Sequence, residues 1–350
     1  MSSPAAARVD RVKAQMFRRA MTLPPHVVRR LAGRPVRRDG LTLSPQTQWM
    51  LRLQKLAMEP PAESKPIPQG RRILARQAVM AGGDHPVGEV HERTVRCAEG
   101  PRDARLYVPR GAGGPGPLLV FFHGGGMIYG DLDSHDALCR FLCEEAGVRV
   151  LAVDYRLAPE HPFPAGVDDA WAAYRWVAEH ASDYDADPTR LAVCGDSAGG
   201  YLSAAVALRA AEEGLPLAYQ LLLYPVTDMR GVSESRRTFG QRFFLTTEFM
   251  GVATDSYLQG HDPTDPRASV LFADIPSGVA PALVVTAGFD PLRDEGEEYA
   301  EKLRAAGVPV ELTRYGGEIH GFANMLGFPG PSFDAMTEIA ATLRSRLGAS

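Results

Sequence analysis

Residues 190–200 read RLAVCGDSAGG, and the segment that follows, YLSAAVALRAAEEG at 201–214, is free of proline and rich in alanine and leucine. A short apolar run that stops at a Gly-Asp-Ser-Ala-Gly turn and reopens as a helix is a strand, a tight elbow and a helix in succession. Gly195 and Gly199 carry no Cβ, so strand and helix can approach closely while Ser197 at the apex takes a strained conformation that exposes its hydroxyl. A serine between glycines can be nothing more than a turn residue. The strand before it and the helix after it favour a nucleophile, with the first helical N–H groups directed at developing negative charge.

Working outward, short apolar runs recur on both sides: LLVFF at 118–122, RVLAVDY at 149–155, YQLLLYP at 219–225 and ALVVTAG at 282–288. Helical text lies between most of them, around 135–146, 166–181, 198–213 and 294–306. This alternation predicts an α/β fold with a mostly parallel, twisted sheet flanked by helices. VPVELTRY at 308–315 supplies a last strand before a final helix. The interval between Pro225 and Ala282 is too long for a simple crossover. Its middle, FFLTTEFMGVATDSYL, reads as helix, and an insertion of about 229–275 would cover the carboxyl ends of the strands, where open α/β sheets bind ligands.

The first ninety residues have a different texture. Val9, Val12, Phe17 and Met21 space as one helical face, and Trp49, Leu53 and Leu56 as another. From Val90 the text alternates as strands do, through VHERTVRCAE and ARLYVP. Residues 1–87 are therefore expected to form a helical arm that contributes to a cap, and 88–350 a catalytic domain.

Residues 1–40 hold ten Arg or Lys against Asp10 and Asp39, in a chain of formal net charge −4. A basic helical face solvated beside an acidic body accounts for this arm, and contact with anionic lipid is its alternative reading. The net charge gives no reason to expect nucleic acid. Met1 to Asp10 lacks an apolar signal region, and no apolar run approaches the roughly 20 residues needed to span a bilayer, so a cytoplasmic location is the default expectation. Cys97, Cys139, Cys143 and Cys194 show no zinc-type spacing and are expected as buried thiols; no metal is expected.

The second chemical feature is FFHGGGM at 121–127. Three glycines directly after a strand serve a need for exposed backbone, and N–H donors from Gly124, Gly125 and Ala198 are expected to converge on a tetrahedral oxyanion, each worth roughly 3 to 4 kcal/mol in the transition state. His123 is expected to fix this loop by hydrogen bonding. A serine elbow of this kind resembles that of α/β-hydrolases, in which the triad follows the chain order Ser, Asp or Glu, His. Of the two histidines beyond Ser197, His261 precedes the ALVVTAG strand, whereas His320 follows the last strand, in GGEIHGF. His320 is the expected base. Asp290, just after ALVVTAG, is the expected orienting acid; Asp294 is its rival, at a helix start where a carboxylate has an ordinary capping role.

Taken together, HGGG at 123–126, GDSAGG at 195–200, DPLRDEG at 290–296 and HGF at 320–322 resemble the hormone-sensitive-lipase-like family of α/β-hydrolases over about residues 88–347. YRLAPEHPFPA at 155–165 also looks like that family's text, with Glu160 expected in a network at the sheet end. The resemblance implies hydrolysis of short- or medium-chain acyl esters, a small-molecule partner and no cofactor. Met127 stands where the family often has an aromatic residue, and the amino-terminal arm looks longer than usual. Met127, Asp196 and Phe244 are expected at the substrate pocket. An amide or carbamate hydrolase, a lipase and a noncatalytic small-ligand receptor are the competing readings; oligomeric state is left open between monomer and homodimer.

Overall fold

A computed structural model describes residues 4–57 and 61–348, with residues 4–11 described by their backbone. The expected side chain of Val9 therefore lies outside the described residues. Eight strands form one sheet: β1 (Glu89–Cys97), β2 (Gly100–Val108), β3 (Gly116–Phe122), β4 (Arg149–Val153), β5 (Ala186–Asp196), β6 (Tyr219–Leu223), β7 (Ala282–Phe289) and β8 (Val310–Ile319). Their order across the sheet is β8-β7-β6-β5-β3-β4-β2-β1. Pairing is parallel from β8 to β4, and β2 runs antiparallel to both of its neighbours. Every residue of β3, β4, β6 and β7 is buried, which is why they read as continuous apolar runs without alternation.

Helices cover both faces. The helices α5 (Asp136–Ala146) and α11 (Pro331–Leu347) pack on one side through Leu138, Phe141, Leu142, Met336, Ile339 and Leu343. On the other side lie α6 (Ala165–Glu179), α7 (Ala198–Glu213) and α10 (Arg293–Ala305), which bury Trp171, Tyr174, Tyr201, Leu202 and Tyr299. The four cysteines are free and buried.

The amino-terminal segment forms α1 (Pro4–Met21), α2 (Pro25–Ala32), α3 (Pro45–Ala57) and α4 (Ile67–Gly82). The reading as helices and loops missed a small antiparallel ribbon that pairs Arg37–Arg38 with Leu41–Thr42 across Asp39-Gly40; Asp-Gly is a hairpin signal, but strands of two residues have no periodicity to detect. The expected faces are also redrawn. Met21 and Trp49 are buried and Phe17 packs edge-on against Phe328, whereas Val12 and Leu56 stand in solvent. This layer closes over β7 and β8 through Met21, Val28, Leu43 and Met50 against Phe239, Phe289, Ile319 and Phe328. Glu160 faces Arg71 of α4 with its two oxygens at 2.8 and 2.6 Å. Arg71 also donates to the Ile128 and Ala158 carbonyls, so this pair fastens the amino-terminal layer to the sheet domain. Among the described residues no helix is long and apolar enough to cross a membrane.

Between β6 and β7 the chain makes α8 (Glu234–Phe239) and α9 (Thr247–Leu258), each opened by a hydroxyl that caps the third following N–H: Ser233 for Arg236 and Thr246 for Phe249. This segment lies over the carboxyl ends of the parallel strands. Thr246 Oγ1 also donates to Glu63 Oε1 at 2.6 Å, joining the segment to the amino-terminal layer.

Candidate active site

Ser197 sits between β5 and α7 with φ 56° and ψ −115°, a conformation unfavourable for any side chain beyond glycine. The surroundings impose it. Ser197 N–H donates to the Leu223 carbonyl at 2.8 Å, and the Ser197 carbonyl accepts from Tyr201 and Val226 at 3.1 and 3.2 Å. A Cβ on Gly199 would collide with the Phe122 carbonyl oxygen, and one on Gly195 with the Gly199 carbonyl, so the elbow closes only around two glycines.

Three strand ends bring the triad residues together. The Ser197 hydroxyl lies 2.9 Å from His320 Nε2, just past β8, and His320 Nδ1 lies 2.8 Å from Asp290 Oδ2, just past β7. Asp290 is fully buried, and its other oxygen accepts the Leu292 N–H at 2.8 Å, which fixes the carboxylate plane. Tyr224 meets the His320 ring edge-on at 4.7 Å. Asp294 is elsewhere: its carboxylate accepts from Ser235 N–H at 2.7 Å and Arg293 Nε at 2.9 Å, tying α10 to α8.

The glycine loop requires a correction. Gly124 N–H is engaged by Asp196 Oδ1 at 2.8 Å and is not available to an oxyanion. The N–H groups of Gly125, Gly126 and Ala198 have no acceptor among the described residues, and Gly126 and Ala198 line the cleft beside Ser197. Gly126 was missed because a run of three glycines carries no sign of which amide is already taken.

Asp196 is likewise not a pocket residue. It is buried beneath the elbow, where Gly124 N–H, Asn324 Nδ2 at 3.0 Å and His135 Nε2 at 3.3 Å surround its carboxylate. Burial pushes this carboxyl up, but the facing His135 and the hydrogen bonds from His135, Gly124 and Asn324 outweigh it and hold it below the ordinary carboxylate range. His123 stacks on Tyr155 at 4.4 Å, and its Nδ1 lies 2.8 Å from the Gly124 carbonyl oxygen, so it braces the loop from below. His261 packs against Phe163, away from the triad.

A cleft opens from Ser197. Met127, Val226, Met229, Leu245, Phe249, Met250 and Leu292 make it apolar, most of them from the segment that carries α8 and α9. Met127 is one of the cleft walls. Phe244 is not among its walls: it is partly exposed, in a positive-φ turn, with its ring beside Gly321 on the His320 side. Arg236 of α8, not singled out in the sequence, reaches the cleft wall while paired to Glu295 at 2.8 Å.

With this geometry in view, similarity to known proteins is specific. Residues 119–324 match the alpha/beta hydrolase fold family. The chain is 46% identical to the carboxylic ester hydrolase LipN of Mycobacterium tuberculosis over 325 residues, 90% of this chain and 86% of that one. It is 39% identical to the esterase LipI of the same organism over 79% of this chain and 86% of the other. Among solved structures, an ester hydrolase from the metagenome of Lake Arreo, complexed with a bipyridine phosphonate derivative, superposes with a TM-score of 0.84 at 38% identity, covering 87% of this chain and 99% of that one.

Proposed function

The chain belongs to the α/β-hydrolase fold family, and on that footing we propose that it is a serine carboxylesterase, an enzyme that cleaves short- and medium-chain acyl esters through an acyl-enzyme intermediate. The observation that carries this reading is the unbroken relay from the Ser197 hydroxyl through His320 to Asp290, at 2.9 and 2.8 Å.

In the first half-reaction His320 Nε2 takes the Ser197 proton as Oγ bonds to the ester carbonyl carbon, and the carbonyl π pair moves onto oxygen. Asp290 holds the His320 tautomer that presents a free Nε2 lone pair and balances the imidazolium. The N–H groups of Gly125, Gly126 and Ala198 receive the oxyanion, helped by the amino end of α7. When the C–O bond breaks, His320 gives its proton to the leaving alkoxide. Water then enters; His320 removes its proton, hydroxide adds to the acyl carbon, and the second collapse returns the proton to Ser197.

We take residues 1–87 and the insertion of about 229–275 as one helical cap on the catalytic domain of 88–350, supported by the Thr246–Glu63 hydrogen bond and the Arg71–Glu160 pair that join the layers. The apolar, bounded cleft supports small acyl or alcohol groups as its occupants. The basic arm is read as a solvated face, because Arg29, Arg30, Arg34, Arg37 and Arg38 are exposed.

The test is hydrolysis of p-nitrophenyl esters from acetate to palmitate by wild type and by Ser197→Ala, with circular dichroism confirming that both are folded. Wild type is expected to cleave the short members, gaining up to about fourfold in kcat/KM per methylene until the cleft is full. The variant should lose at least about 10⁴-fold. A folded wild type inert toward every ester, but active on anilides, would replace the esterase reading with an amidase one.

A further inference from the structure

Among the described residues lining the cleft, Arg236 alone is charged. Its side chain is only 10% exposed. Nε donates to Glu295 Oε2 at 2.8 Å and Nη2 to the Asp228 carbonyl at 3.0 Å. Nη1 has a different neighbour, the Met250 thioether sulfur at 3.5 Å, and Met250 is itself part of the cleft wall. Thioether sulfur is a weak acceptor, so a guanidinium with five N–H donors is matched to two oxygens only. Glu295 cannot turn to help, because its other oxygen is held by the N–H groups of Thr227 and Asp228 at 3.0 and 3.2 Å.

The pairing of Arg236 with the buried Glu295 accounts for the charge at this position, but it leaves the largely buried Nη1 donor facing only a weak sulfur acceptor, an unmet need at the cleft wall. We propose that Arg236 Nη1 hydrogen-bonds an oxygen atom on the substrate group that enters this cleft, so that the preferred esters carry a keto, alkoxy or hydroxyl oxygen there. The inference rests on the esterase reading. A neutral oxygen is specified rather than a carboxylate because the surrounding charges are already matched: Glu295 compensates Arg236, and Arg230 closes on Asp228 at 2.7 Å. An added anion would enter a poorly solvated cleft without a countercharge.

The measurement is a ratio of kcat/KM values for near-isosteric ester pairs, each divided by the corresponding hydroxide rate. One pair places the oxygen on the acyl side, p-nitrophenyl 4-oxopentanoate against 4-methylpentanoate. Another places it on the alcohol side, 3-methoxypropyl acetate against pentyl acetate followed by pH-stat. Wild type is expected to favour the oxygen-bearing member about tenfold or more in one of the pairs. That pair identifies which side of the ester occupies the cleft. Arg236→Met should bring the ratio to one or below. Because Glu295 is then left unpaired, Arg236→Met/Glu295→Gln is measured alongside it. Within any preparation the ratio is independent of the folded fraction, so poor folding cannot mimic the result. Ratios near one for both pairs in wild type, or a preference retained in both variants, overturn the proposal. Failure of wild type to cleave any of the four esters would instead count against the esterase reading.

Discussion

The backbone N–H of Gly124 donates a 2.8 Å hydrogen bond to the carboxylate of Asp196, so the residue preceding the nucleophile anchors the glycine loop that faces it. Two segments separated by a whole βαβ unit are thereby held in register. The same carboxylate collects Asn324 from the loop after His320. One buried charge thus positions the loops on both sides of the reacting atoms, although it touches none of them.

Asp196→Ala is expected to leave Gly124 N–H, Asn324 and His135 without their acceptor and to let the loop drift. Loss of about one aligned oxyanion donor lowers kcat roughly 100-fold with little change in KM. Leaving those buried hydrogen-bonding groups without their acceptor lowers stability by about 3 kcal/mol. Steady-state kinetics and urea unfolding read the two effects separately. A folded alanine variant with wild-type kcat would show that the glycine loop holds its shape unaided.

The two aspartates after β7 should separate cleanly. Asp290→Asn retains the shape but favours the wrong His320 tautomer, and kcat is expected to fall about 10⁴-fold. Asp294→Asn removes an acceptor for Ser235 and Arg293 only, so its kcat should stay within a fewfold of wild type while stability drops by about 1 kcal/mol. Equal losses of kcat in the two variants would refute the assignment.

Glu318 and His123 make opposing contributions to the pH dependence of stability. Burial pushes the Glu318 carboxyl from 4.5 to about 7, with hydrogen bonds from Ser332, Thr47 and Ser44 opposing. Its protonated form is favoured in the fold, so its contribution is complete below pH 4.5 and is lost as pH rises through 7. Burial, followed by the neighbouring His135, pushes His123 from 6.5 down to about 4. Its neutral form is favoured, so its contribution is present above pH 6.5 and is lost as pH falls through 4. Each is worth about 3 kcal/mol, and between pH 4.5 and 6.5 their opposite pH slopes nearly cancel. Glu318→Gln removes one of them. The unfolding free energy of wild type minus that of the variant should therefore fall by about 2 to 3 kcal/mol from pH 5 to pH 8, measured by urea titration at each pH. A difference that does not vary with pH rules out a titrating Glu318.

Much of the molecule was legible in its linear text because the signals are local. Buried parallel strands must be apolar at every position, so LLVFF and ALVVTAG declare themselves. The elbow needs glycines at two fixed offsets from its serine, and chain order then leaves His320 and Asp290 as the partners nearest the strand ends. What the text alone determined is the fold class, the broad alternation of strand and helix, and the three side chains proposed as the triad. The tertiary structure decided which polar groups are already occupied. Gly124 looked as free as Gly125 until Asp196 was seen to hold it, Asp196 looked like a pocket residue until it was found beneath the elbow, and Glu160 proved to clamp Arg71. Arg236 and Glu295 could not be paired in advance, since 59 residues separate them. Local periodicity reports which residues must be buried; hydrogen-bond occupancy depends on which distant groups the fold brings within 3 Å, and no spacing along the chain encodes that.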